Sequence, residues 1–188
     1  MNKLATVKAL SPAYCSTIAV TGTVALATNA SLYVFSDGTN GGSVYMTMQN
    51  LFLPANARIV ADAAGYSGGT NSDGSGPGPG LAAEGGGGYG GRGGHATKGG
   101  APYGSATHPV DAGSGGGGVG GAGGGLVHAV IRGGATLQGA ISANGGNSSG
   151  SGGGGSGGGI YLKADTFAPA GGGLSVAGGN GSGAGCGG

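Results

Sequence analysis

Residues 85–101 read GGGGYGGRGGHATKGGA, and every third position from Tyr89 onward carries a side chain, at Tyr89, Arg92, His95, Lys98 and Ala101. An extended left-handed helix has three residues per turn and no internal hydrogen bonds, so this spacing would place the side chains along one edge. The two bare glycine edges would let neighbouring helices approach closely and form hydrogen bonds with one another. The run therefore predicts polyglycine II-like extended helices or closely packed β-strands.

Glycine divides the chain into two parts. The chain has 188 residues, and all but four of its 55 glycines lie at or beyond residue 65. We therefore expect a strand-rich segment over residues 1–64, which supplies assembly contacts, and a Gly-rich repeat domain over residues 65–188.

Ordering the Gly-rich part requires an unusual source of free energy. Fixing the backbone of each residue costs roughly 1–2 kcal/mol, and glycine loses more freedom than other residues. Burial of a large apolar side chain returns only about 1.5–3 kcal/mol, and such side chains are few beyond residue 65. We expect dense backbone hydrogen bonds, and association between copies of the chain, to supply the remainder.

The first 64 residues predict β-strands. The runs 17–28, 31–35 and 43–48 are rich in β-branched and aromatic residues, and turn-forming residues 37–42 separate the last two. No segment has a helical period with capping residues, so the fold class is all-β. Exposed strand edges are templates for pairing with another chain, which makes six apolar residues candidates for strand exchange or subunit contact: Ile18, Val20, Val24, Leu26, Leu32 and Val34.

An internal repeat follows. Residues 123–127, leading to 141–147, align with residues 157–161, leading to 174–180, at offsets of 34 and 33 residues. A more diverged copy spans residues 41–64, in which Phe52 aligns with Phe167. Repeats of this length are supersecondary units that bury their faces by stacking on one another.

The run Gly85–Gly100, the segments 101–105 and 113–116, and the paired units around Ile-Ser-Ala-Asn-Gly-Gly resemble the Gly-rich repeat regions of microbial surface and secreted structural proteins. That resemblance implies an extracellular, non-catalytic protein with an all-β or polyglycine-like fold. The chain is also similar to the polyglycine-helix tip adhesins of tailed-phage fibres, which implies a virion location and variable loops at one end. A third resemblance, by composition, is to glycine-rich antifreeze proteins.

Charge and chemistry exclude several classes of function. A net charge of +1 provides no field that would hold nucleic acid or an anionic membrane, and no run of apolar residues is long enough for membrane insertion. The histidines, His95, His108 and His128, lack metal-ligand spacing, and no serine lies in a nucleophile motif. We therefore expect no enzyme activity, no metal and no cofactor.

Cysteines and tyrosines supply the remaining candidate residues. Cys15 and Cys186 are either two inert thiols or one disulfide, formed within a chain or between neighbours. Tyr66, Tyr89 and Tyr103 lie in the Gly-rich half. They either pack between elements or contact a cell-surface receptor or glycan.

The sequence thus predicts a self-assembling structural subunit, a homopolymer whose partners are copies of itself, in an extracellular or cell-surface filament, tube or sheath. The first alternative is a phage tail-fibre adhesin with a polyglycine-helix core. A monomeric ice-binding protein is the second.

Overall fold

The computed structural model describes residues 4–8, 16–169, 171–182 and 185–188; Cys15, one of the two predicted disulfide partners, lies outside them. The described residues form fifteen β-strands and no helix. The prediction of a strand-rich chain is therefore confirmed for this part of the protein.

Thirteen of the strands form three parallel sheets. Sheet one contains, in spatial order, β1 (Leu4–Lys8), β4 (Ser31–Phe35), β7 (Arg58–Val60), β12 (Ala140–Ser142) and β15 (Gly173–Ser175). Sheet two contains β2 (Ser16–Ala19), β5 (Val44–Met48), β10 (Leu126–Ile131) and β13 (Gly159–Lys163). Sheet three contains β3 (Thr23–Ala25), β6 (Asn50–Leu53), β11 (Gly134–Leu137) and β14 (Thr166–Pro169). A separate antiparallel pair joins β8 (Thr70–Ser72) to β9 (Gly118–Val119).

The chain visits the three sheets in rotation. The first coil is β1, β2 and β3, the second is β4, β5 and β6, and each later coil adds one strand to each sheet until β15 begins the fifth. Every pairing within the three sheets is parallel. The strands β1–β7 and β10–β15 therefore form a three-sided parallel β-helix, called the solenoid below.

Side chains alternate between the inside and the outside along each strand, and the inward ones fill the solenoid with apolar groups. In β5, Val44, Met46 and Met48 are buried in the core, and Tyr45 and Thr47 point outward. Strands beyond residue 65 contribute to the same core through residues such as Val127 and Ile141. The strands of the Gly-rich half therefore share a hydrophobic interior with residues 1–64, and backbone contacts need to supply only the remainder outside those strands.

The boundary predicted after residue 64 does not separate two structural units. It falls within the third coil, between β7 and β10, and β10 pairs directly with β5. Residues 65–125 leave the solenoid after β7 and return at β10, residues 143–158 connect β12 to β13, and residues 176–188 follow β15. These three Gly-rich segments, called the Gly block below, all depart from sheet one.

The amide groups of residues 153–158 form hydrogen bonds with a period of three. Every third residue donates to the same neighbouring segment, so that three different neighbours surround this segment. The donor–acceptor pairs are Gly153 to Gly117 and Ser156 to Ser114, Gly154 to Gly185 and Gly157 to Gly188, and Gly155 to Gly146 and Gly158 to Ala143. Lateral bonds between backbones therefore take the place of side-chain packing here.

Close approach of the backbones requires glycine at these positions. A Cβ atom at Gly153 would collide with the carbonyl group of Gly85, and one at Gly155 would collide with that of Ala122. The lateral hydrogen bonds can therefore form only because these residues have no side chain.

The repeat seen in the sequence corresponds to stacked coils. Ile59, Ile141 and Leu174 lie opposite one another in sheet one, as aligned from the sequence. Two details of the alignment are wrong by one residue. Val127 pairs with Ile160 at an offset of 33 rather than 34, and Phe52 occupies the same register as Ala168 rather than Phe167. Glycine runs have no apolar face, so they could not fix the register there.

Candidate interaction surface

The Gly block turns back on itself at the end farthest from the solenoid. Residues 143–147 lead away from β12 and residues 152–158 lead back to β13, so the turn at 148–151 marks this far end. Four further turns lie beside it. The five turns, called the distal loops below, are residues 70–73, 81–84, 95–98, 148–151 and 180–182.

Hydrogen bonds join the distal loops to one another. The N–H of Ala82 donates to the carboxylate of Asp73 at 2.6 Å, and Lys98 Nζ donates to the carbonyl of Ala83 at 3.3 Å. The N–H of Ser148 donates to the carbonyl of Asn180 at 2.9 Å. Strand β9 connects the turn at 70–73 to the turn at 148–151. It pairs with β8, and the N–H of its Val119 donates to the carbonyl of Ser151. The five loops therefore form one continuous surface.

Several distal-loop residues have an unusual backbone conformation. Asn71, Ala83, Glu84 and His95 have positive φ angles of 59°, 60°, 81° and 90°. This left-handed region costs a residue other than glycine roughly 1–2 kcal/mol and is enriched at functional sites. The neighbouring hydrogen bonds hold these residues there, so the loops have a defined shape.

The distal loops carry few charged side chains. Asp73, Glu84 and Lys98 give this surface charges of both signs, so it has no single-sign field. Among the described residues, no group of three or more His, Cys, Asp or Glu side chains could hold a metal ion.

A cavity of about 720 Å³ lies at the opposite end of the Gly block, beside the last coil of the solenoid. Two of the three predicted contact aromatics, Tyr89 and Tyr103, line it, and their ring centroids are 5.0 Å apart in an edge-to-face arrangement. The Tyr103 hydroxyl donates to the Ala112 carbonyl and accepts from Ser114 Oγ at 2.9 Å. Burial raises the pKa of both phenols, that of Tyr89 to about 12, so both are neutral in water near pH 7.

The third predicted contact aromatic, Tyr66, lies elsewhere. It is half-buried, and its hydroxyl donates to the carbonyl of Asn40 at 3.2 Å, in a turn of the solenoid. Its ring therefore packs between the solenoid and the Gly block, and the structure does not bring it to the cavity.

A row of aromatic side chains on the outer face of sheet two was not predicted as a site. His128 lies between Tyr45 and Tyr161 on neighbouring strands, with ring centroids 4.2 Å and 4.6 Å away, and His108 packs against Tyr161 at 4.5 Å. His128 is buried, and neither ring nitrogen has a hydrogen-bond partner. Burial, with a smaller contribution from nearby His108, lowers the pKa of His128.

The six predicted subunit-contact residues differ in burial. Ile18 and Val20, in the first coil, are each 36% exposed. Val24, Leu26 and Leu32 are half-buried against the core, and Val34 is completely buried within it. The prediction for Val34 is corrected, because a side chain that faces the solenoid interior has no surface to offer another subunit. Cys186, the described cysteine of the predicted pair, has an exposed free thiol.

No protein-family model, curated protein or solved structure matches this chain. The three resemblances noted in the sequence, to microbial surface proteins, to phage tip adhesins and to antifreeze proteins, therefore stay predictions. Within the described residues, no helix has both the length and the apolar character needed to cross a membrane.

Proposed function

We propose that the Gly block is a bundle of polyglycine II helices. A helix with three residues per turn presents every third amide to the same neighbour, and residues 153–158 donate their hydrogen bonds with that period. Residues 120–124 follow the same rule, because Gly120 and Gly123 donate to one neighbouring segment, at Gly69 and Tyr66, while Gly121 donates to another.

We propose that this bundle displays the distal loops as the receptor-binding surface of an adhesin, of the kind found at the tips of tailed-phage fibres. The observation that carries this proposal is the joining of five loops into one hydrogen-bonded surface at one end of the bundle. Loops held on a rigid scaffold lose little freedom when they bind, so more of the contact energy contributes to affinity.

The solenoid would then be the part that joins the carrier. β1–β6 form the first two coils, and β1, β2 and β3 end their sheets in the described structure. An unpaired strand edge can take up a strand of another protein through backbone hydrogen bonds. On this proposal the protein acts as a non-enzymatic, virion-borne binding module without a cofactor.

A second candidate function is self-assembly into a filament, and the two open ends of the solenoid favour it. β1–β3 end the three sheets on one side, and β13, β14 and β15 end them on the other. Exposed apolar side chains occur at both ends, including Ile18 in the first coil and Leu174 in the last. A head-to-tail contact between unlike ends does not close, so it would generate a polymer of identical subunits.

Cell binding tests the adhesin proposal. The purified chain, labelled with a fluorophore, is incubated with a panel of bacterial strains and measured by flow cytometry. We expect binding to a subset of strains, loss of binding in Ser149→Arg on a distal loop, and retention in Gln138→Arg on the solenoid; both positions are exposed. Equal binding by both variants would contradict the proposal.

Negative-stain microscopy separates the two candidates. Discrete particles support the adhesin. Long regular fibres that disassemble with Ile18→Asp would instead support the structural subunit, because the new charge would lie at the open end of the first coil.

A further inference from the structure

The cavity beside the last coil has no role in the function proposed above. One wall is the turn at Tyr89–Gly91 with the loop that follows Pro102, and the other is formed by residues 157–160 and 174–176. Its volume of about 720 Å³ lies within the range of small-molecule sites, roughly 300–1,000 Å³. It lies at the opposite end of the Gly block from the distal loops.

No charged side chain lines the cavity. A charged ligand would lose its hydration there without gaining an ion pair, which is strongly unfavourable. The lining therefore selects against acidic sugars, phosphorylated compounds and charged peptide segments.

Four rings form part of the lining. The rings of Tyr89 and Tyr103 meet edge to face at an interplanar angle of 80°, and Pro102 and Pro109 add two saturated rings. Both hydrogen bonds of the Tyr103 hydroxyl point into the protein, to Ala112 and Ser114, which fixes the orientation of that ring. The rings thus form a corner that is already shaped before a ligand arrives.

Peptide groups, two serines and four aliphatic side chains form the rest of the lining; the aliphatic residues are Ala106, Ile160, Leu174 and Val176. Seven of the lining residues are glycines, and Ser105 and Ser175 add hydroxyl groups. The N–H groups of four of these glycines already donate within the protein, at residues 157, 158, 159 and 188. The walls therefore offer a ligand mainly acceptors, which are glycine carbonyl oxygens with two lone pairs each, together with the two serine hydroxyls. An entirely apolar guest, such as a leucine side chain, would cover these groups without bonding to them.

We propose that this cavity binds a neutral pyranose sugar. A pyranose has an apolar face of C–H groups, which would pack against the rings and aliphatic side chains of the lining. Its rim of hydroxyls would donate to glycine carbonyl oxygens and bond to the serine hydroxyls. The cavity is a second site, independent of the distal loops. Its ligand class follows from three features together: uncharged side chains, an apolar wall of rings and aliphatic groups, and glycine carbonyls with serine hydroxyls.

Saturation-transfer NMR tests this site with defined probes. The intact chain is mixed with the neutral methyl glycosides of glucose, galactose, mannose and N-acetylglucosamine, and separately with methyl glucuronide. We expect transfer to the ring C–H protons of at least one neutral glycoside and none to the glucuronide. Absence of transfer to all four neutral glycosides, or equal transfer to the glucuronide, would overturn the proposal.

Matched variants locate the binding. Ser105 lines the cavity and Thr107, two residues away on the same exposed loop, does not. We expect Ser105→Arg to abolish the transfer signal and Thr107→Arg to leave it unchanged, whereas equal signals in both would overturn the site. The distal-loop variant Ser149→Arg should retain sugar binding even where it loses cell binding, so failure of either proposal is distinguishable from failure of the other.

Discussion

The carboxylate of Asp62 accepts a hydrogen bond from the backbone N–H of Asn144 at 2.7 Å, which ties the corner of one coil to the corner of the next. Asn144 repeats the arrangement, because its side-chain oxygen accepts the N–H of Ala177 at 2.8 Å. A serine hydroxyl accompanies each bond, from Ser142 to Asp62 and from Ser175 to Asn144. This ladder lies where the Gly-rich segments leave sheet one, so it fixes the direction in which they depart.

Replacement of Asn144 by alanine should weaken this corner. The change removes the acceptor for two hydrogen bonds that are exposed to water, so we expect the free energy of unfolding to fall by about 1 kcal/mol. Urea denaturation followed by circular dichroism measures it. Gln138→Ala, at an exposed site on the solenoid, is the control, and an equal loss in both variants would contradict a role for the ladder.

Addition of a single methyl group should distinguish crowded glycines from open ones. A Cβ at Gly155 would meet the carbonyl of Ala122, whereas a Cβ at Gly22 would have no atom within 4 Å. We expect Gly155→Ala to destabilise the protein by about 1–3 kcal/mol or more. Gly22→Ala should be neutral or slightly stabilising, since alanine restricts the unfolded chain. Equal urea midpoints for the two variants would argue against close backbone packing.

The part of the fold that could be predicted from the sequence is the part with a local signal. The β-branched runs pointed to strands, and β2–β5 form there. The spacing from Tyr89 to Ala101 predicted side chains along one edge, which is wrong, because the chain turns at Tyr89–Gly91 and again at residues 95–98. The pairing between strands had no local signal. Tyr45 and His128 are partners, but residues 65–125 lie between them in the sequence. The change in composition at residue 64 therefore suggested a domain boundary there, but strand pairing crosses that position.

The sequence also did not show which way a strand side chain points or which loops lie together in space. Alternation marks Val34 as apolar but does not say whether it faces the solenoid interior or a partner. The distal loops contain the same Ser, Asn and Gly residues as the other Gly-rich tracts, so only the hydrogen bonds between them distinguish them. Tyr89 and Tyr103 were named as candidate contact residues one by one, but their convergence on one cavity depends on tertiary structure.

The stability of the protein should decrease in mildly acidic solution because of His128. Its pKa is lowered by burial, so the folded protein binds fewer protons than the unfolded chain. The stabilisation is complete above the ordinary histidine pKa of about 6.5 and is lost progressively as the pH falls below it. Tyr45, Tyr161 and His108 face this ring, and none of them offers a negative charge near neutral pH.

Urea midpoints between pH 5 and pH 8 measure this dependence. His128→Phe, which suits the aromatic surroundings, should flatten the acid limb of the curve, whereas His95→Asn on a distal loop should leave it intact. An unchanged acid limb in His128→Phe would show that another group is responsible.

The thiol of Cys186 should react in the folded protein. Because it is exposed and free, we expect iodoacetamide to add at least one carbamidomethyl group under native conditions, as measured by intact mass. A chain that resists labelling until it is reduced would instead support the disulfide predicted with Cys15.

Hydrogen exchange at residues 153–158 tests most directly whether bare peptide groups hold the Gly block together. Each of these amides donates to a neighbouring segment, so the account predicts slow exchange by NMR, comparable to that of the core strand β10 and far slower than that of the exposed loop at residues 104–107. Exchange of residues 153–158 at the rate of an unstructured glycine peptide would contradict it.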